Sequence, residues 1–246
     1  MKTIAIIPAR YNSTRFPGKP LALILGKPMI QWVYESVSQT NVLDDIIVAT
    51  DDQRIIDCVD RFGGRAIMTR STHECGSDRL AECVDLLNLE DEDIVLNIQG
   101  DEPLINPNMI VDLVSIFEDP SVYMGTLKKI IEKQEELDDP NVVKIITNVN
   151  QDAIYFSRYC IPFERNSIKT DHYKHIGVYG YKTWFLKKYS KMSRTRLEIA
   201  ESLEQLRAIE NGLKIRVKNT MYQTIGVDTP EQIGLVEREL TERRKK

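Results

Sequence analysis

The sequence predicts an α/β chain built around a mostly parallel sheet. Short apolar runs at residues 4–7, 46–50 and 94–98 have the length and composition of strands buried on both faces. Between them lie amphipathic stretches with apolar residues at helical spacing, and the links are brief and polar. Strand, helix, strand at that spacing calls for right-handed crossovers and parallel neighbours.

The first run halts at Pro8, and a loop carries the chain to Pro20. Gly26-Lys27-Pro28 punctuates the next start, with Pro28 suited to a first helical turn and Ile30, Val33, Tyr34 and Val37 on one face. After the strand at 46–50, Asp51 and Asp52 sit at the positive end of a helix whose inner face is Ile55, Val59 and Phe62, and Gly63-Gly64 ends it. Residues 65–68 make a brief strand, and a polar loop over 69–76 leads to a helix bearing Leu80, Val84 and Leu87. The strand at 94–98 runs straight into Gln99-Gly100-Asp101-Glu102-Pro103, after which Asn106-Pro107 caps and opens a helix with Ile110, Leu113, Val114 and Phe117.

Beyond residue 120 the pattern loosens. Strands are expected at 122–127, 142–147, 153–156 and 174–181, with a surface helix over 132–139. A second lobe or a dimer surface belongs in this middle block. A helix over 198–211 with Leu203, Leu206 and Ile209 inward, a strand at 213–217, a tight loop at 226–230 and a last amphipathic helix complete the chain.

A chain of 246 residues is long enough for a single domain with a substantial core. Its formal net charge of −4 gives no general attraction to nucleic acid or to an anionic membrane, so any anion site must be a local gathering of Arg and Lys. No apolar run reaches the ~18 residues of a membrane span, and the N-terminal run is too short for a signal peptide, so a cytoplasmic protein is expected. Cys58, Cys75, Cys83 and Cys160 form no C-x-x-C pair. His73, Cys75 and Cys83 lack a fourth ligand and the usual zinc spacing, so zinc is not expected.

The chemistry concentrates at one rim. The loop after the first strand carries Arg10, Arg15 and Lys19, with Gly18 beside the last. Three cations and a glycine just beyond the carboxyl end of a strand make a phosphate cradle, although a solvated basic loop has the same composition. Position favours the cradle, because ligands of open α/β sheets bind outside the carboxyl ends of the strands. Neither G-x-x-x-x-G-K-[ST] nor G-x-G-x-x-G is present. Asp101 follows a strand and Asp228 lies in the loop at 226–230, so both point to that rim, where paired carboxylates opposite phosphates suit Mg²⁺. Taken singly, Asp228 reads more readily as a helix cap and Asp101 as a turn acid. These residues alone describe a metal-dependent enzyme acting on a nucleotide or a phosphorylated ligand, with the base unspecified.

The motifs are more specific. I-P-A-R-Y-N-S-T-R-F-P-G-K-P-L-A from Ile7 resembles the N-terminal signature of the CMP-sugar synthetases. Together with N-I-Q-G-D-E-P, Y-F-S-R, K-H-I-G-V-Y-G-Y, E-S-L-E-Q-L-R and G-V-D-T-P, it makes the chain resemble the 3-deoxy-manno-octulosonate cytidylyltransferase (CMP-Kdo synthetase) family almost end to end. The resemblance implies a three-layer α/β/α nucleotidyltransferase fold, Rossmann-like, in one domain over 1–246, with about 125–185 contributing a small dimerisation lobe. It implies transfer of CMP from CTP to a Kdo-type sugar acid, with Mg²⁺ as cofactor and a homodimer as the working form. Carried over by position, Ala9, Arg10, Arg15 and Lys19 hold the nucleotide, and Asp101 and Asp228 the metal. Arg10, Lys19, Asp101 and Asp228 form the catalytic set. Arg70, Cys75, Gly76 and Arg79 fall in the cytidine-reading loop, with Gln99 nearby, and Arg158, His175, Tyr179, Glu204 and Gln205 match the sugar-acid site.

Three departures stand out. Cys75 and Ser77 fall in C-G-S-D-R where the family reads S-G-T-E-R; Gln223-Thr224-Ile225 replaces a proline and a glycine before G-V-D-T-P; and Arg194-Thr195-Arg196 adds cations near the sugar site. They motivate a modified acceptor, such as 8-amino-Kdo, as an alternative to Kdo. A nonulosonic acid acceptor and a non-catalytic nucleotide-binding protein are the other readings.

Overall fold

Alternation along the strands sets the layers. The computed structural model describes residues 1–12, 16–73, 75–166 and 169–243. In chain order it contains β1 (Thr3–Ala9), a small hairpin of β2 (Leu23–Ile24) and β3 (Lys27–Pro28), α1 (Met29–Val37), β4 (Asp45–Thr50), α2 (Gln53–Arg61) and β5 (Ala66–Met68). There follow α3 (Gly76–Leu86), β6 (Ile94–Asn97), α4 (Pro107–Ser115), β7 (Met124–Ile130), α5 (Gln134–Asp138), β8 (Lys144–Thr147) and β9 (Ala153–Ser157). The chain ends with β10 (Tyr173–Lys182), α6 (Thr183–Tyr189), α7 (Arg196–Glu201), α8 (Leu206–Glu210), β11 (Arg216–Asn219) and α9 (Ile233–Arg243).

β1 turns Ala5, Ile7 and Ala9 toward a core shared with α1, α2 and α4. Ile4 and Ile6 face a second core shared with α3, α6 and α8. The result is the expected three-layer α/β/α arrangement around a sheet of order β11-β7-β10-β6-β1-β4-β5. All pairs along that order are parallel except those of β10, which runs against both β6 and β7.

Several expectations are adjusted. β1 does not stop at Pro8. Ile98 N–H donates to Ile6 O (3.0 Å), so Ile6 and Pro8 turn their backbone toward the β6 side. β6 has ended by that point, and the missing proline N–H costs no ladder bond. The helix expected over 198–211 is two helices, because Ser202 takes the left-handed conformation (φ 52°) and turns Leu203-Glu204-Gln205 between α7 and α8. α6 was not expected from the sequence. The block 125–185 divides. β7 and β10 are inner strands, whereas β8 and β9 project past the end of β6, since β10 pairs with β8 at Tyr173–Lys174 and with β6 at Tyr179–Lys182.

Between those two pairings the register of β10 against β7 shifts from Ile176 to Tyr179. Just beyond, Gly180 passes so close to α4's end that an added Cβ would lie 2.5 Å from the Phe117 ring. Gly180→Ala is therefore expected to destabilise the fold by about 1–3 kcal/mol through overpacking, seen as a lower Tm in thermal melts. A Tm equal to that of the unaltered chain would show that the β10 register does not depend on this contact.

Candidate active site

Three distant segments converge on one ammonium. Lys19 Nζ lies 2.6 Å from Asp101 Oδ2 and 3.7 Å from Asp228 Oδ1, and its side chain is largely buried. Lys19 opens a short 3-10 turn after the β1 loop, Asp101 leaves the end of β6, and Asp228 precedes α9. Val227 N–H donates to Asp101 O (2.9 Å), which ties the two acidic loops together through the backbone. Asp228 is not the helix cap. Thr229 caps the 3-10 turn that leads into α9 through a capping box with Gln232, and the Asp228 carboxylate faces Lys19 instead. Gly100 explains how β6 delivers Asp101 so near β1: a Cβ there would meet Pro8 O at 2.7 Å.

The cations expected in one cradle divide. Arg10 donates to the carbonyls of His73 and, at 3.4 Å, of Cys75, so it seats the loop ahead of α3 rather than reaching the two acids. Ala9 is buried at the end of β1. Arg15 lies outside the described residues. In the base-reading loop, Gly76 opens α3 against the Asn97 side chain. Arg70 is exposed and pairs with Glu82. Arg79 corrects the expectation. Its side chain is wholly buried, donating to Thr69 Oγ1 and pairing with Asp51 at 3.1 Å, so it braces the loop from beneath and does not face the opening.

Beside the acids a cavity of about 230 Å³ gathers Gln99, His175, Tyr179, Glu204 and Gln205, together with Asn97, which the sequence reading missed. Asn97 Oδ1, Tyr179 Oη and Gln205 Nε2 are all buried without a hydrogen-bond partner. Three orphaned polar groups around one cavity are costly unless water or a ligand satisfies them. Gln99 Nε2 donates to Gly177 O (3.3 Å) at the shift in β10. An asparagine closing the apolar run Ile94–Leu96 was the available signal for Asn97. Arg158, expected among these residues, is held elsewhere. Its guanidinium donates to the carbonyls of Glu201 (2.6 Å), Pro140 (2.9 Å) and Ser202 (3.4 Å), a natural berth at the negative end of α7.

Burial sets the titration of the site. The residue His175 is only partly buried, but its ring sits edge-on to Phe156, beside Tyr179, with Nε2 3.0 Å from Thr126 Oγ1. That enclosure pushes its pKa down to about 3. Glu102, next to Asp101, is pushed up to about 8 by burial and by that neighbour. Glu204 is raised by burial, opposed by the hydrogen bond from Ser77. Among the described residues, no group of three or more His, Cys, Asp or Glu side chains is arranged to hold a metal. Asp101 and Asp228 nonetheless offer two hard carboxylates around Lys19, a donor set that Mg²⁺ accepts together with substrate phosphates.

A family model described as cytidylyltransferase matches residues 4–215. The 3-deoxy-manno-octulosonate cytidylyltransferase of Thermodesulfovibrio yellowstonii is 49% identical, over 97% of this chain and 98% of that protein. Its counterpart in Geobacter metallireducens is 48% identical, over 98% of each. Among solved structures, a CMP:2-keto-3-deoxy-manno-octonic acid synthetase complexed with CTP superposes with a TM-score of 0.93 at 43% identity, covering 99% of this chain and all of that one (100%). A 4-diphosphocytidyl-2C-methyl-D-erythritol synthase from Anaerococcus prevotii shares the fold at a TM-score of 0.65 and 16% identity, over 98% of this chain and 96% of that one.

The depressed His175 pKa has a signed consequence. An unfolded histidine takes up a proton as pH falls through about 6.5, whereas the folded one stays neutral to about 3. His175 therefore contributes stability above pH 6.5 that is lost progressively on acidification. Thermal melts between pH 7.5 and 5 should show His175→Gln losing less stability than the unaltered chain; parallel losses would contradict the enclosure of the ring.

Proposed function

Since the chain belongs to the cytidylyltransferase family, we propose that it transfers CMP from CTP to the anomeric hydroxyl of 3-deoxy-D-manno-octulosonic acid (Kdo), releasing pyrophosphate. The product, CMP-Kdo, supplies lipopolysaccharide or capsule synthesis. The observation that carries this reading is the Lys19–Asp101–Asp228 cluster beside a cavity with three orphaned polar groups.

In the reaction, the anomeric oxygen forms a bond to the α-phosphorus as the bond to the β-phosphate oxygen breaks. Such a displacement depends on in-line positioning and on compensation of charge. Lys19 offsets charge on the triphosphate and on the departing pyrophosphate. Arg10 acts in part indirectly, by holding the His73 and Cys75 carbonyls ahead of α3, where the base is read. His175 is too weak a base to take the hydroxyl proton, with its pKa near 3, and its part is to shape the cavity. Asp101 and Asp228 would hold Mg²⁺, which when bound screens the phosphates and lowers the pKa of the attacking hydroxyl.

Of the departure at Arg194-Thr195-Arg196, Arg194 lines a neighbouring cavity of about 390 Å³ that shares Glu204 with the first, and none of the three lines the first cavity itself. Thr195 caps α7 in a capping box with Glu198, and Arg194 pairs with Glu198 at 3.5 Å. Arg194 is already engaged by Glu198, and the names of the similar proteins support Kdo as the acceptor. The homodimer is part of the same proposal, supported by Tyr159 and Phe163, which follow β9 with 83% and 87% of their surface exposed. Use of CTP supports a cytoplasmic location, and no helix among the described residues is long and apolar enough to cross a membrane.

Pyrophosphate release from CTP should require Kdo, proceed more slowly with 8-amino-Kdo or a nonulosonic acid, and fall by about 10²–10³-fold in Asp101→Asn with little change in Tm. Release independent of any sugar acid, or near-normal turnover by Asp101→Asn across a Mg²⁺ titration, would overturn the assignment. Light scattering should return twice the 28.3 kDa chain mass, falling toward one chain in a Tyr159→Glu, Phe163→Glu double variant; a monomer at micromolar concentration would remove the dimer.

A further inference from the structure

Two loops from opposite ends of the chain meet at one hydroxyl. Ser77, in the first turn of α3, is 2% exposed and donates to Glu204 Oε1. Cys75 Sγ lies 3.1 Å from the same serine oxygen. Because the serine proton is directed to the carboxylate, the thiol is the donor to Ser77. Burial pushes Cys75 up to about 11, so the thiol keeps its proton at neutral pH. Upstream, the Cys75 carbonyl is one of the two on which Arg10 rests. Downstream, Glu204 lines the cavity with Gln205 and Tyr179, and its own carbonyl accepts from the Tyr189 hydroxyl at 2.7 Å.

The contacts run without a break from Arg10, on the nucleotide side, through Cys75 and Ser77 to a carboxylate in the cavity. They do little for α3 itself. The Cys75 N-cap position makes no side-chain cap bond, and the Ser77 hydroxyl is directed to Glu204 across the fold. Satisfying a free backbone N–H at the start of α3 falls to the N-cap position, Cys75, and Ser77 lies two residues past it. Here it reaches a residue 127 positions away.

We propose that Ser77 is a positioning residue for the acceptor site. It holds the Glu204 carboxylate where it accepts from an acceptor hydroxyl, and its own hydroxyl rests against Cys75, whose carbonyl Arg10 holds. This rests on the cavity being the acceptor site. Without the serine donor, the buried carboxylate loses its fixed orientation and turns from the acceptor, while the nucleotide contacts are left in place. Cysteine at position 75 fits this arrangement: it supplies a proton to Ser77 without competing strongly for Glu204, since a thiol is a weak donor.

Steady-state kinetics of the full chain with CTP and Kdo, for the unaltered protein, Ser77→Ala and Ser77→Thr, test the positioning. Ser77→Ala should raise the KM for Kdo about tenfold or more, the scale of a hydrogen bond to a charged group, with the KM for CTP and the Tm near normal. Ser77→Thr, which keeps the hydroxyl, should restore the KM for Kdo. An unchanged KM for Kdo in Ser77→Ala, an equal rise in both KM values, or a lowered Tm with neither KM altered would overturn the proposal while leaving the acceptor assignment intact. No turnover of Kdo by the unaltered chain would remove both.

Discussion

Everything at the carboxyl rim of this sheet depends on keeping Asp101 and Asp228 close enough to share Lys19. Two carboxylates in a half-buried site repel each other, and the ammonium between them makes the arrangement tenable. The rest of the structure supplies the scaffolding. Gly100 lets β6 leave the sheet against Pro8, and the Val227 amide clasps the Asp101 carbonyl. Behind that amide, Val227 is fully buried in a small separate core with Ile24, Met29, Leu104, Val236 and Leu240. The last helix, the β2–β3 hairpin and the segment after β6 thus act as one clamp on the loop that bears Asp228. A C-terminal helix packed on an N-terminal hairpin is part of the active-site architecture.

How much of this was legible in the sequence follows from how local each signal is. The parallel strands were legible because burial on both faces leaves an unbroken apolar run, and the rim acids because each follows a strand or a glycine turn. The antiparallel β10 was readable as a strand, but its place between β6 and β7 depends on long-range pairing that no local pattern records. The split between α7 and α8 was hidden because Leu203, Leu206 and Ile209 keep helical spacing across it; only the left-handed Ser202 breaks the run. Arg79 and Arg158 show the limit most clearly. Position in a motif assigned both to the site. It did not say whether the guanidinium faces the opening, and in each case carbonyls, a hydroxyl or Asp51 claim it first. An arginine with several donors is readily absorbed by the scaffold of a site.

The distribution of charge suits the problem the enzyme faces. Its two substrates are both anionic, and they must be brought together without one excluding the other. Lys19 stands against the two acids, and Arg10 at the neighbouring loop. The cavity behind is lined by amides, tyrosines, a histidine held neutral and one glutamate engaged by Ser77. No lysine or arginine lines that cavity among the described residues. Hydroxyls are what such a lining can satisfy: Asn97 Oδ1 needs a donor, while Gln205 Nε2 needs an acceptor. A lining of that kind suits the hydroxyls of the acceptor, and the acceptor's carboxylate meets no cation among the residues that line the cavity.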